Sequence, residues 1–211
     1  MKKLLLTLTA VAGLTFVTKA QEFDFQKEDF IVEGAIGVHT TDDKNTSVKT
    51  SDFIFAPKVG YFVSDKVAVG LGLSIGQEKE TNYSGEKDTY TKGNTFGIGA
   101  FARYYFLEVG SRFKVYGEAG AGYANVGGEE DDGTDVTKTD KINSFGVNAG
   151  IGANFFLTQN IAIGYQFADV IGFNSSKTDA EGAKAKNAFH ANLNSFDNFF
   201  NSGKFSLTFK F

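Results

Sequence analysis

Beyond residue 28, the chain alternates between apolar residues and small or polar residues in eight separate segments. In residues 67–75, the odd positions hold Val, Val, Leu, Leu and Ile, whereas the even positions hold Ala, Gly, Gly and Ser. Strict alternation with a period of two predicts a β-strand with one apolar face. The eight predicted strands lie at 30–38, 53–63, 67–75, 96–106, 113–123, 145–155, 161–167 and 205–211. The sequence therefore predicts an all-β protein.

The charged residues of these strands lie on the face opposite the apolar one. That second face consists mostly of Gly, Ala, Ser, Asn and Thr, which do not make a typical water-exposed surface. A soluble barrel such as a lipocalin buries its apolar face and is the alternative. An apolar outside and a polar inside predict a barrel that crosses a lipid bilayer. The inward-facing charged residues would be Glu33, Lys58, Arg103, Lys114, Glu118, Lys204 and Lys210.

Short and long connections alternate along the chain. The short ones are 64–66, 108–112 and 157–160, and the long polar ones are 40–52, 76–94, 124–144 and 172–203. This alternation is typical of an eight-stranded antiparallel up-and-down transmembrane β-barrel with periplasmic termini and long outer loops.

Outward aromatic residues should form two girdles around an aliphatic band, as a bilayer favours. The periplasmic girdle would contain Phe30, Tyr61, Tyr104, Phe106, Phe113, Phe155, Phe209 and Phe211, and the outer girdle Phe53, Phe96, Tyr123, Phe145 and Phe205. Two residues disturb the pattern. Asp169 falls on the lipid face by parity, which predicts a bulge after Phe167 or a position at headgroup level. Pro57 removes a backbone donor and predicts a local irregularity.

The first twenty residues have the pattern of a secretory signal peptide. Lys2 and Lys3 precede an apolar stretch of residues 4–17, and Ala20 offers a small residue for cleavage. A buried N-terminal helix is the alternative. We expect residues 1–20 to be removed and residues 21–211 to form the barrel domain.

Composition excludes several classes of function. The chain has no cysteine, so disulfides, thiolate metal sites and a cysteine nucleophile are excluded. The formal net charge of −4 argues against a nucleic-acid partner. The chain contains 42% hydrophobic and 15% aromatic residues, too many for a disordered protein. No phosphate-binding glycine motif is present, and no cofactor is expected.

The chain resembles the small eight-stranded outer-membrane barrels, of the OmpX/Ail type and the transmembrane domain of OmpA. The resemblance covers residues 29–211, and its most specific motif is the alternating C-terminal strand that ends in Phe211. It implies a location in the outer membrane, contact with outer-membrane lipid and assembly by the outer-membrane insertion machinery. It further implies that this machinery recognises Phe205, Leu207, Phe209 and Phe211.

An eight-stranded barrel has an interior just wide enough for side chains to fill. The large inward residues would be Phe62, Phe101, Arg103, Tyr105 and Tyr116. Four charged residues, Glu33, Lys58, Arg103 and Glu118, should lie near the periplasmic third of the lumen. Because unpaired charges are costly there, we expect a cluster of salt bridges. The cluster is either a structural plug or a proton or ion relay.

Two features of the sequence are candidates for chemistry. Small outer-membrane barrels can be lipid-modifying enzymes, but the two histidines, His39 and His190, have no recognisable serine nucleophile beside them. The acidic run 129–135 could supply carboxylate ligands for a hard cation, although its spacing does not match an EF-hand. A solvated loop is the alternative for that run.

The last long connection carries phenylalanines at two different periods. Phe189, Leu193, Phe196 and Phe200 follow a helical spacing, whereas Phe189, Ala191 and Leu193 alternate as in a strand. The segment therefore forms either a short helix on the barrel mouth or an extension of the last strand.

Together these features predict a monomeric, non-enzymatic barrel with a plugged polar lumen, and no cofactor or metal. Its work would be structural support of the envelope or binding of an extracellular ligand through residues 76–94, 124–144 and 172–203. A narrow channel for ions or small solutes is the first alternative, and a lipid-modifying enzyme is the second.

Overall fold

The computed structural model describes residues 23–83, 85, 87–191 and 204–211. These residues form nine β-strands. The strands are β1 (Phe30–Asp43), β2 (Val48–Ser64), β3 (Val67–Asn82), β4 (Thr89–Val109), β5 (Phe113–Asp131), β6 (Val136–Phe156), β7 (Ile161–Thr178), β8 (Lys186–Ala191) and β9 (Lys204–Lys210). None of the described residues belongs to a helix long and apolar enough to cross a bilayer. The expected signal peptide, residues 1–20, lies outside the described residues.

The strands close into an antiparallel eight-stranded barrel. Each of β1 to β7 pairs with the next strand in the chain. The eighth position is shared, because β9 pairs with the first part of β7 and β8 pairs with its second part. Pairing of β9 with β1, from Ile31↔Lys210 to Gly34↔Leu207, closes the barrel. We call the end that carries residues 23–30 and Phe211 the terminal end, and the opposite end the hairpin end.

The long outer loops expected from the sequence are largely absent from the described residues, and that prediction was wrong. The strands continue through most of 40–52, 76–94 and 124–144, so the connections at the hairpin end shrink to 44–47, 83–88 and 132–135. Strand pairing needs only backbone hydrogen bonds, which do not depend on side-chain polarity. Above a bilayer, both faces of the wall meet water, so the apolar alternation stops before the strand does.

The part of the last connection that the structure describes is extended. Lys186–Ala191 forms β8, and Phe189 pairs with Phe173 of β7. Phe189 is exposed. This agrees with the extended alternative for these six residues, whereas Leu193, Phe196 and Phe200 lie outside the described residues.

The outer face carries the expected aromatic residues. Phe30, Tyr104, Phe106, Phe113, Phe155 and Phe209 are exposed near the terminal end, and Phe53, Phe96, Tyr123, Phe145 and Phe205 are exposed toward the hairpin end. Between them lie exposed aliphatic residues such as Leu71 and Ile98. The apolar face of each strand therefore points away from the barrel.

The two irregular positions behave differently. The β6–β7 register shifts on both sides of the pair Gly150↔Asp169, as expected for a bulge near Phe167. The shift turns Asp169 to the inside, where its Oδ1 accepts a hydrogen bond from Asn148 Nδ2 at 2.8 Å. At Pro57, by contrast, the β2–β3 register is the same before and after the proline.

Candidate functional site: a sealed lumen below an open vestibule

A charged layer crosses the lumen in the terminal half of the barrel. Arg103 of β4 lies beside Glu118 of β5, its direct cross-strand partner, with Nη2 2.6 Å and Nε 2.8 Å from Oε2. The same guanidinium reaches Glu33 of β1, with Nη1–Oε2 at 3.0 Å and Nη2–Oε1 at 3.2 Å. Lys58 Nζ of β2 contacts Glu118 Oε1 at 2.6 Å. The structure thus brings all four sequence-predicted residues into one cluster.

Uncharged side chains extend the charged layer around the barrel wall. Thr208 Oγ1 donates to Glu33 Oε2 at 3.1 Å, and Asn154 Nδ2 donates to Thr208 at 3.2 Å. Tyr105 OH donates to Asn154 Oδ1 at 2.9 Å, and it accepts from Arg103 Nη1 at 3.3 Å. The hydrogen bonds therefore join β1, β4, β6 and β9 in addition to the two strands bearing Lys58 and Glu118.

Burial makes this layer structurally important. The Arg103 side chain is fully inaccessible, and those of Glu33 and Glu118 are 7% exposed. A buried ion loses its hydration, so it is tolerated only where opposite charges and hydrogen bonds replace the water. Arg103 meets both carboxylates and also stacks 4.0 Å from the ring centre of Tyr116. Removing Arg103 would leave Glu33 buried without its guanidinium partner, and Glu118 with Lys58 as its ion-pair partner.

An aromatic layer fills the lumen on the terminal side of the charged layer. Its centre is Phe25, whose ring stacks on Phe62 with centroids 4.5 Å apart. Tyr105 and Phe156 flank the same ring at 4.8 and 5.0 Å. Each of these four residues is at most 5% exposed. Such rings exclude water, so the lumen is closed by a second layer of different chemistry.

Polar contacts anchor the segment that inserts Phe25. Lys114 Nζ lies 3.1 Å from Asp24 Oδ1, and Lys210 Nζ donates to the Asp24 carbonyl at 2.6 Å. The backbone N–H of Lys27 donates to Asp65 Oδ1 at 2.8 Å, and that of Glu28 donates to the Phe62 carbonyl at 2.8 Å. The residues just before β1 therefore form a cap on the terminal end.

Phe25 could not be recognised from alternation, because it lies before the first predicted strand, which begins at residue 30. One ring in a polar segment produces no periodic signal. The available clue is composition: Phe23 and Phe25 are apolar residues in the polar stretch 21–28. An aromatic residue in such a segment is favourable only when it is buried, and the ring of Phe25 is buried in the lumen.

Tyr116 occupies space that the absence of a side chain at Gly152 provides. A Cβ at Gly152 would collide with the ring and hydroxyl of Tyr116 from the neighbouring strand. The Tyr116 hydroxyl is buried and has no hydrogen-bond partner among the described residues. Glycine at this position therefore lets the ring lie against the strand, where it also supports Arg103.

Above the charged layer the lumen widens into a vestibule of about 740 Å³ that opens toward the hairpin end. Its floor consists of Phe101 and the upper side of the charged layer. Glycines of β3, β4 and β5 line one side, and polar side chains of β6, β7 and β9 line the other. The polar residues are Ser144, Asn148, Gln166, Asp169, Asn174, Lys204 and Ser206.

The two histidines lie at different places on the inner side. His39 is exposed near the hairpin end, and its Nε2 lies 2.9 Å from Thr41 Oγ1. His190 of β8 borders the vestibule, with its ring against Gly172. Among the described residues, neither histidine forms a hydrogen bond with a serine or a carboxylate.

The acidic run lies partly in the turn between β5 and β6. Asp132 Oδ1 accepts the backbone N–H groups of Asp135 at 2.9 Å and Thr134 at 2.8 Å. These hydrogen bonds hold the pKa of the Asp132 carboxyl below its usual value. Asp131 Oδ1 caps the N–H of Gly133 in the same way at 2.8 Å. Among the described residues, no group of acidic or histidine side chains has the arrangement of a metal site.

Comparison with known families identifies the chain. The family model described as "Outer membrane protein beta-barrel domain" matches residues 6–195. The chain belongs to this family. It is therefore an outer-membrane protein, and its apolar outer face meets outer-membrane lipid.

The chain is also similar to solved outer-membrane proteins at low sequence identity. Pseudomonas aeruginosa OprG is 15% identical, with 90% of this chain and 99% of that chain covered and a TM-score of 0.49. Escherichia coli outer membrane protein W is 15% identical, with 89% and 99% covered and a TM-score of 0.45. Yersinia pestis Ail is 13% identical, with 89% and 100% covered and a TM-score of 0.40. No curated protein matches the chain.

Proposed function

We propose that this protein is a monomeric, non-enzymatic outer-membrane barrel with a sealed lumen. It acts at the cell surface, by support of the envelope or by binding through its hairpin end. The observation that carries this proposal is the pair of stacked layers in the lumen, one of ion pairs around Arg103 and one of aromatic rings around Phe25. A solute path would have to disrupt both layers.

The charged layer serves as a plug rather than a relay in this proposal. Each carboxylate already has two or more donors: Glu33 accepts from Arg103 and Thr208, and Glu118 accepts from Arg103 and Lys58. A relay needs groups that release and accept protons along a continuous path. Below the charged layer, Phe25 and Phe62 offer no such group.

The hairpin end supplies the binding surface. Paired strands continue to Asp43, Asn82, Asp131 and Thr178, so the parts that project from the bilayer are stiff β-hairpins with short turns. A rigid surface loses little conformational entropy when it binds a partner. The exposed ring of Phe189 on β8 adds an apolar contact to this surface.

Single-channel recording in a planar bilayer tests the sealed lumen. The full chain is expected to give no steady conductance. The double variant Phe25→Ala/Arg103→Ala, which removes the centre of both layers, is expected to conduct, whereas the outer-face control Phe96→Ala is not. Steady conductance of the unchanged protein would favour the narrow channel instead.

The two ends of the chain are assigned to export and assembly. We propose that residues 1–20 are a cleaved signal peptide, and that Phe205, Leu207, Phe209 and Phe211 form the insertion signal. Phe205, Leu207 and Phe209 are exposed on the outer face, where an assembly factor can reach them. Phe211→Gly is expected to slow membrane assembly, measured as the time at which the folded gel species appears in cells. Equal assembly kinetics would contradict the signal.

A further inference from the structure

The vestibule is a cup rather than a passage. Its volume of about 740 Å³ lies within the range of sites that hold small molecules. Phe101 is almost fully buried at the floor, and Glu33, Lys58 and Glu118 complete the floor with their ion pairs. Among the described residues, these side chains close the vestibule toward the terminal end, so a solute would enter it from the hairpin end.

One side of the cup has almost no side chains. Five glycines from three neighbouring strands line it, namely Gly72, Gly97, Gly99, Gly120 and Gly122. A Cβ at Gly97 would collide with Ser74 Oγ, and one at Gly99 would lie 3.0 Å from the Ala121 carbonyl. The flat backbone surface lets a compact ligand lie close to the wall.

The facing side carries side chains that both donate and accept hydrogen bonds. Asn148, Gln166 and Asn174 present amides, and Ser144 and Ser206 present hydroxyls. Amides and hydroxyls match the alternating donors and acceptors of neighbouring hydroxyl groups on a ligand. Asp169 Oδ1 holds the Asn148 amide at 2.8 Å, which orients that side chain before any ligand binds.

The balance of positive and negative side chains in the cup does not favour binding of small ions. At the floor, Glu33 and Glu118 are neutralised by Arg103 and Lys58. Asp169 and Lys204, which also line the wall, are an acidic and a basic residue. Positive and negative side chains therefore balance among the described lining residues, so we infer that hydrogen bonding decides which solute is held.

From this arrangement we propose that the vestibule binds a neutral, hydroxyl-rich solute of the size of a mono- or disaccharide from the outside of the cell. The inference deepens the proposed surface-binding function and rests on the sealed lumen, which makes the vestibule a cup. The polar side of β6 and β7 provides the hydrogen bonds, and the glycine side provides the flat surface.

Isothermal titration calorimetry of the full chain in a zwitterionic detergent without a sugar headgroup tests this site. The probes are maltose, sucrose, lactose and trehalose, each raised to about 10 mM, because weak sites have millimolar dissociation constants. Citrate and spermidine serve as charged probes. At least one disaccharide is expected to bind, and the charged probes are not.

Matched variants separate the vestibule from the rest of the surface. Asn148→Leu and Asn174→Leu are each expected to weaken disaccharide binding at least tenfold. Ala56→Phe, which places a ring in the cup opposite the polar side, is expected to abolish it. The control Asn125→Leu removes an amide that bonds to Asn143 Oδ1 outside the cup, and it is expected to leave binding unchanged.

Each opposite result overturns the inference. Absence of heat with all four disaccharides, binding of citrate or spermidine instead, or equal losses in Asn125→Leu and Asn148→Leu would each refute a saccharide site in the vestibule. Failure of the saccharide site can be distinguished from failure of the proposed function. A protein that binds no saccharide but gives no conductance keeps its sealed lumen, whereas a conducting protein has lost the floor on which the cup depends.

Discussion

Arg103 on β4 binds Glu33 on β1 across the interior of the barrel, 70 residues away in the chain, with Nη1–Oε2 at 3.0 Å. The direct cross-strand partner of Glu33 is Lys58, and Lys58 in turn reaches Glu118 on β5 at 2.6 Å. The two ion pairs therefore span the lumen instead of following the wall. Such cross-lumen pairs tie distant strands together, and in the proposed function they block the passage of solutes through the lumen.

Replacement of Arg103 by Met should destabilise the barrel strongly. Glu33 and Glu118 would then remain buried without Arg103, and breaking a buried ion pair on one side costs about 3–5 kcal/mol. The conductance should stay at zero, because the aromatic layer is untouched. Urea unfolding followed by far-ultraviolet circular dichroism measures the loss, and bilayer recording measures the conductance.

A compensated variant separates charge from packing at this position. The double variant Arg103→Met/Glu33→Gln removes the carboxylate that loses its guanidinium partner, keeps the pair of Lys58 with Glu118, and should recover most of the lost free energy of unfolding. If Arg103→Met alone were as stable as the unchanged protein, the charged layer would not be a structural element. A large current from Arg103→Met would contradict the two-layer seal.

Truncation of Phe25 should loosen the terminal end of the barrel. Phe25→Ala removes a ring packed among Phe62, Tyr105 and Phe156, and such buried truncations cost about 3–5 kcal/mol. The chain has no native cysteine, so a single Ala68→Cys reports on access to this layer. Modification of Cys at that position by a small thiol reagent should be faster in the Phe25→Ala background.

Phe23→Ala is the matched control for that experiment. Phe23 is only partly buried beside the core cluster, and its ring lies 4.1 Å from the Arg112 guanidinium. Its truncation should change the labelling rate far less than Phe25→Ala. Equal rates in both variants would show that the whole segment, rather than the Phe25 ring, closes the terminal end.

A methyl group at Gly152 should be harmful although the change is small. Gly152→Ala forces Tyr116 away from the strand, and overpacking of this kind costs about 1–3 kcal/mol. Gly117→Ala is the control, because its nearest contact would be the Gly150 carbonyl at 4.0 Å. The midpoint of urea unfolding should be lower for Gly152→Ala than for Gly117→Ala. The opposite order would contradict the proposed packing of Tyr116.

The stability of the turn at Asp132 should depend on pH only under acidic conditions. The hydrogen bonds from Asp135 and Thr134 hold the pKa of Asp132 below its ordinary 3.8. Since the folded pKa is lowered, the ionised carboxylate stabilises the turn above that value, and this effect is lost as the pH falls through the folded pKa. Carbon-detected NMR titration of the side chain should give a midpoint below 3.8.

Asp132→Asn supplies the control for the acid transition. An amide oxygen can accept the same two N–H groups, so the turn should form but lose its acid transition. The amide signal of Thr134 should then move less between neutral and acidic pH than it does in the unchanged protein. A titration midpoint of Asp132 above 3.8, or an unchanged acid transition in Asp132→Asn, would contradict this account.

Several features of the fold could be predicted because they repeat along the chain. Alternation along strands such as 67–75 marks the lipid-facing positions, and exclusion of charge from that face distinguishes a membrane barrel from a soluble one. The pairing of Arg103 with Glu118 also followed from the short turn between their strands. By contrast, the ends of the strands could not be located from the sequence. Outside the bilayer both faces of a strand contact water, so backbone hydrogen bonding continues through residues such as Thr89 and Thr91 without an apolar pattern.

The amino-acid sequence by itself determined which face of each strand meets lipid and which charges lie inside, because a bilayer penalises every misplaced polar residue. Only the closed tertiary structure decided that Glu33 meets Arg103, that Phe25 fills the terminal end and that the remaining interior forms a vestibule. These contacts depend on which strands stand opposite each other across the lumen. Closure of the barrel fixes which strands face each other, whereas the alternation of residues describes one strand at a time.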